Sequence, residues 1–165
     1  MPHLAGLRRG GLAVSDIEKL LGCDVIPAMP GGQLQLQPVG RVESALVHRA
    51  DAPLQGTEGA PEAWLVFDEA FSTGITDLHR GDEILVLTWL HLARRDILRV
   101  YPRGNPANAE EGVFSTRSPD RPNPIGLHRV RIIDVQGDRI RVSDLEALDG
   151  TPIIDVKPVL SPRER

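Results

Sequence analysis

Arg117, Asp120, Arg121 and Asn123 fall within seven residues of one another in Gly112-Val-Phe-Ser-Thr-Arg-Ser-Pro-Asp-Arg-Pro-Asn-Pro-Ile-Gly126. A guanidinium can hold a carboxylate through two parallel hydrogen bonds, and an amide both donates and accepts. Pro119, Pro122 and Pro124 stiffen the same stretch, each fixing its own φ and pushing its predecessor out of the helical region. Ordinary connectors use small, mobile polar residues, so a rigid loop displaying these groups reads as a binding surface. Further along, Ser143-Asp-Leu-Glu-Ala-Leu-Asp-Gly-Thr-Pro152 offers three carboxylates, Asp144, Glu146 and Asp149, ahead of an Asp-Gly turn. Acidic groups can face an ammonium or accept from ribose hydroxyls, so the combined set suits a zwitterionic or nucleotide-like small molecule.

The elements that must carry these loops read as strands. The focal loop is fed by Val113-Phe114-Ser115 and leaves through Ile125-Gly126-Leu127. Leu34, Leu36, Val39 and Val42 suggest one or two strands ending at Leu46, and Glu62 to Phe67 suggests another. Glu83 to Leu90 is the most hydrophobic run and suits a central strand, with Trp89 and His91 at its end. That histidine is either structural or part of a site. Arg94 to Arg103 alternates in part and carries four arginines, giving a strand whose basic face is either a solvated edge or a phosphate-contacting patch. Leu127 to Val135 and Arg139 to Val142 form a hairpin across Gln136-Gly137-Asp138, with a change of phase near Ile133 that suggests either a bulge or a strand buried on both sides. Ile153 to Pro158 closes the domain. Residues 47 to 61 lack periodicity and form either a flexible insertion or a binding loop. Phe71 to Leu78 is a short helix or a loop. With six to eight strands and no strand-helix alternation, the expected fold is an all-β barrel or closed sandwich.

Residues 1 to 34 differ from the rest and form an amino-terminal extension, with residues 1 to 28 either accessory or a misassigned start, ahead of a domain over 35 to 160, with 161 to 165 as a tail. Ser15 and Glu18 make a capping box for a short helix through Ile17, Leu20 and Leu21, which Gly22 can end. A chain of 165 residues, 41% hydrophobic and 25% charged, suits one globular domain. No apolar run approaches a membrane span, the amino terminus lacks a secretory pattern, and Cys23 has no cysteine to pair with, so a reducing cytoplasm is expected. Histidines at 3, 48, 79, 91 and 128 are too scattered to argue for a metal. A net charge of −4 means that any nucleic acid must be met by a local patch or a partner chain. Dinucleotide, P-loop, nucleophile-elbow and zinc-protease signatures are absent.

The focal stretch and Asp149-Gly-Thr-Pro-Ile-Ile-Asp-Val-Lys-Pro158 closely resemble the TrmO/TsaA family, methyltransferases that use S-adenosylmethionine to modify transfer RNA. Pro38-Val-Gly-Arg-Val-Glu-Ser44, Asp51-Ala-Pro-Leu-Gln-Gly56, Trp89-Leu-His91 and Pro102-Arg-Gly104 agree, so the resemblance covers roughly residues 36 to 160. It implies a β-barrel unlike the Rossmann methyltransferases, a homodimer with the cofactor near the subunit interface, and methylation of the exocyclic nitrogen of threonylcarbamoyl adenosine beside the anticodon. Implied cofactor contacts are Pro53, Leu54, Gln55, His91, Arg117, Leu127, Ser143, Asp144, Leu145 and Glu146. Asp149 and Asp144 are the implied candidates for a base, Asn123 and Arg121 for orienting substrate, and Arg103 for a further substrate contact. Two departures stand out: Glu146 occupies a position where the family often has Asp, and bacterial members often carry a carboxy-terminal domain beyond the point matching Arg165. A methyltransferase of small molecules and a non-catalytic S-adenosylmethionine-binding protein are the alternatives.

Overall fold

The computed structural model describes residues 35–160. Six antiparallel strands close into a barrel in the order β1 (Gly40–Ser44), β2 (Ala63–Phe67), β7 (Arg139–Val142), β6 (Ile125–Gln136), β3 (Glu83–Trp89) and β8 (Pro152–Pro158), with β8 returning to β1. The strands form because alternate residues are apolar and meet inside. Val42, Leu65, Ile84, Val86, Val130, Ile132, Ile140, Val142 and Ile153 are all buried in one core, each side chain contributing about 1.5–3 kcal/mol. The barrel's closure depends on a close approach at Gly40. A Cβ there would lie 2.2 Å from the Val66 carbonyl oxygen, so only glycine lets β1 lie against β2 at this point.

The expected hairpin is present between β6 and β7, with Gly137 at φ 60° in the turn. Its register shifts between Ile132 and Asp134, which is the bulge suggested by the phase change. The strand expected over Arg94 to Arg103 shrinks to β4 (Arg99–Val100), paired with β5 (Glu111–Gly112) as a separate two-stranded ribbon. Alternation there was partial, and Pro102 cannot donate to a ladder. Of the strand signal between Leu34 and Leu46, Gly40–Ser44 is β structure. Residues 69 to 75 form a 3₁₀ helix, and the long loop contains 3₁₀ turns at Arg49–Asp51 and Gly56–Glu58. The expected helix around Ser15 to Leu21 lies outside the described residues.

On β3 the inward positions are Ile84, Val86 and Thr88, while Leu85, Leu87 and Trp89 are half-buried on the outer face. Leu87 pairs across with Leu127 of β6, and Trp89 with Ile125. Burial on one face and apolar residues on both explain why this run looked continuously hydrophobic. Among the described residues, no helix is long and apolar enough to cross a membrane.

Candidate functional site

The proline-rich loop is held by its own polar residues. Asp120 accepts both guanidinium hydrogen bonds of Arg49, at 3.0 and 2.9 Å, and the backbone N–H of Arg94 at 2.9 Å. One carboxylate thus joins three loops. The Arg49 pair holds the Asp120 carboxyl below its ordinary range, against a burial that pushes the other way, with Arg94 adding to the stabilisation. Arg121 braces the same loop from within, donating to the carbonyls of Ser118 (2.8 Å), Val113 (3.2 Å) and Thr116 (2.6 Å). Arg103, at φ 59°, forks onto Glu58 at 3.1–3.2 Å and ties residues 102–104 to the long loop.

Together these loops enclose a cavity of about 990 Å³ at one end of the barrel, at the upper end of the usual size for small-molecule sites. Pro53, Leu54, Gln55, His91, Arg117, Leu127 and Glu146 line it, as do Arg103 and Arg121. Segments far apart in sequence therefore converge on one space. A buried polar chain reaches the cavity from the barrel's inner face. His128, 5% exposed, sits with Nε2 2.9 Å from Thr88 Oγ1 and Nδ1 3.0 Å from Glu146 Oε1. The second contact is close but bent, leaving the buried Nδ1 without a well-aligned partner. Burial pushes the Glu146 carboxyl upwards, but His128, a backbone N–H and the charge of Arg117 outweigh it and hold the group below its ordinary value.

Five residues expected from sequence do not line this cavity. Asp149 belongs to a separate depression with Arg41, Ser44 and Trp64, and its Oδ1 accepts the Ser44 N–H at 3.0 Å while its own N–H bonds the Leu46 carbonyl at 2.8 Å. It fastens the turn before β8 to the end of β1. Asp144 is exposed, with φ 55°. Leu145 is fully buried in the core, Ser143 continues the pairing with Arg131, and the side chain of Asn123 is exposed. The two candidate bases, Asp149 and Asp144, and the substrate-orienting candidate Asn123 are therefore not gathered in the cavity. The basic face expected on Arg94 to Arg103 is largely neutralised: Arg94 pairs with Asp96, Arg99 with Glu110 and Arg103 with Glu58, while Arg95 lies over the Trp89 ring at 5.2 Å. Thr88, His128, Gly56 and the Arg49–Asp120 pair were not foreseen. A histidine on the inward row of an alternating strand was the available signal for His128.

Asp120→Ala is expected to lower global stability by no more than about 1 kcal/mol, as for other exposed ion pairs. Hydrogen exchange at the Arg94 amide should nevertheless accelerate, because its acceptor is gone; unchanged exchange would contradict the three-way joint. Since the folded carboxyl lies below its unfolded value, the joint is intact above about pH 4 and weakens as pH falls through the depressed value.

The model of the tRNA-methyltransferase O N-terminal domain matches residues 41–163 of this sequence. The chain belongs to that family. Among relatives of this domain, a probable S-adenosyl-L-methionine-binding protein of Methanothermobacter thermautotrophicus is 44% identical over 126 residues, spanning 76% of this chain and 90% of the relative. An S-adenosyl-L-methionine-binding protein of Archaeoglobus fulgidus is 46% identical over 123 residues, 74% of this chain and 86% of its own length. The crystal structure of TrmO from Pseudomonas aeruginosa superposes with a TM-score of 0.62 at 26% identity, covering 78% of this chain. The chain spans 57% of that TrmO chain.

Proposed function

We propose that this TrmO-family domain binds S-adenosylmethionine in the loop-enclosed cavity and transfers its methyl group. The observation that carries the reading is the convergence of Pro53, Leu54, Gln55, His91, Arg117, Leu127 and Glu146 on one space, although they come from five separate places in the sequence. The space also fits such a cofactor chemically. Apolar Pro53, Leu54 and Leu127 can cover a base or a thioether chain, Arg117 can take a carboxylate, and the half-buried Glu146 can accept from hydroxyls or an ammonium. Gly56 and Gly126 keep the adjacent walls free of side chains, and His128 stands beside Glu146 with Nδ1 3.0 Å from Oε1.

When bound, the cofactor supplies an electrophilic methyl group, so the protein's main tasks are alignment and exclusion of water. Arg121, Asp120 and Arg103 hold the loops that do this. Asp149 and Asp144 do not line the cavity and so cannot serve there as the base. The methyl acceptor we propose is the exocyclic nitrogen of threonylcarbamoyl adenosine beside the anticodon of transfer RNA, in the cytoplasm. A homodimer is part of this reading. It is supported by the apolar outer stripe of Leu87, Leu127, Trp89 and Ile125, and by Phe114, which is 79% exposed.

Incubation with methyl-labelled cofactor and bulk transfer RNA, followed by nucleoside mass spectrometry, tests the proposal. The expected result is label on threonylcarbamoyl adenosine, and none when the RNA lacks that modification. Label confined to small metabolites would replace the acceptor, and tight binding without transfer would make the protein a cofactor-binding module, as the names of its relatives suggest for them.

A further inference from the structure

Thr88, His128 and Glu146 form a line of polar groups running from the barrel interior to the cavity wall. Thr88 is fully buried and His128 nearly so, beside a core built of apolar side chains. Burying such groups is unfavourable unless each finds a partner, so their presence requires a reason. Two arrangements of the neutral ring are possible. With the proton on Nε2, the ring would donate to Thr88, and the bare Nδ1 would face the Glu146 carboxylate oxygen at 3.0 Å, two acceptors in opposition. With the proton on Nδ1, the ring faces the carboxylate with an N–H, and Nε2 accepts from the Thr88 hydroxyl at 2.9 Å. Electrostatics selects the second.

The remaining contacts favour a positioning task over a purely structural one. Nδ1 lies 3.0 Å from Oε1 but along a bent line, so the contact holds the carboxylate close without being an ideal hydrogen bond. Both His128 and Glu146 line the cavity, and Arg117, whose charge also acts on Glu146, lines it too. The backbone has been kept clear of this chain: a Cβ on Gly126 would lie 2.5 Å from Nε2, and one on Gly56 3.1 Å from Glu146 Oε2.

We infer that His128 is a positioning residue, its ring held by Thr88 in the Nδ1–H tautomer so that it fixes the Glu146 carboxylate as an acceptor for the cofactor's hydroxyl or ammonium donors. The inference rests on the cofactor reading above and adds a residue to it. Its mechanism is specific to one ring nitrogen. The amide nitrogen of asparagine can stand where Nδ1 stands, whereas that of glutamine reaches the place of Nε2. His128→Asn should therefore preserve the function and His128→Gln should lose it.

Calorimetry with S-adenosylhomocysteine, which cannot react, and with methylthioadenosine, which keeps the ribose but lacks the amino acid, measures this directly. For S-adenosylhomocysteine, His128→Gln is expected to bind at least about tenfold more weakly than the unmodified protein, the scale of one hydrogen bond to a charged group. His128→Asn is expected within about threefold of it. A loss shared by both probes places the donors on the ribose; a loss for S-adenosylhomocysteine alone places the donor on the ammonium. Equal binding by His128→Gln, or equal weakness of both variants, overturns the inference. Nitrogen-15 shifts of His128 in the unmodified protein give a second readout that no folding defect can obscure, and a proton on Nε2 overturns it independently. Should the unmodified protein bind neither probe, the cofactor reading fails, while the tautomer measurement still stands.

Discussion

Gly126→Ala is expected to cost about 1–3 kcal/mol of stability, as for other overpacked cores, and to weaken cofactor binding by about tenfold or more, since it strikes a hydrogen bond to a charged group's support. Gly126 lies on the inward row of β6, directly opposite Thr88 on β3. An added Cβ would meet Thr88 Oγ1 at 2.4 Å and His128 Nε2 at 2.5 Å, well inside any tolerated contact. Neither neighbour yields easily. Threonine is stiff about χ1, and the imidazole hangs from the same strand two residues on. The seven paired positions between β3 and β6 also resist a shift of the backbone. The methyl group must therefore part Thr88 from His128 or open the ladder. Denaturant unfolding and calorimetry would measure both effects. A double variant with Thr88→Ala should be more stable than the two single changes predict, because it removes one of the clashing atoms. Simple additivity would count against this account of the clash.

Strand content was legible because barrel residues alternate with a period of two, and the change of phase at Ile133 even located the bulge. A closed all-β fold was legible from the strand count, but not which strands seal it, since that depends on β8 meeting β1 across more than a hundred residues. The residue types in the proline-rich loop pointed to a binding surface, and the loop does line the cavity, but their division of labour did not follow from spacing. Asp120 looked like one polar residue among several. Its importance comes from Arg49, 71 residues away, and from a backbone N–H 26 residues away. Arg121 looked ligand-facing, yet it spends at least three hydrogen bonds on its own loop. The arginines of the expected basic face are partnered by Asp96, Glu110 and Glu58, and only the first is a near neighbour in sequence. His128 stood in plain view on a buried row, but its role requires Thr88 and Glu146 on either side.

The two-sided placement of Glu146 gives the other large expectation. Gly56→Ala should weaken S-adenosylhomocysteine binding and slow turnover by as much as about a hundredfold, the scale of an ångström's misplacement. Gly56 heads the 3₁₀ turn that follows Pro53, Leu54 and Gln55, and a Cβ on it would lie 2.1 Å from the carbonyl oxygen of Asp144. That atom is backbone, so the overlap is relieved only if the two segments separate by about an ångström. Asp144 already holds a left-handed φ of 55°, which leaves its segment little freedom to retreat. The loop carrying residues 53 to 55 must then withdraw from Glu146, dividing the cavity wall into two halves that no longer fit one ligand. The barrel core lies elsewhere, so unfolding should shift by only about 1–3 kcal/mol. Gly59→Ala is the matching control. Its φ of 95° strains an alanine, but nothing lies within 4 Å of the added carbon. It should cost about 1 kcal/mol of stability and leave binding unchanged. Equal losses of affinity in the two variants would mean that backbone strain in the loop, and not its contact with Asp144, governs the site.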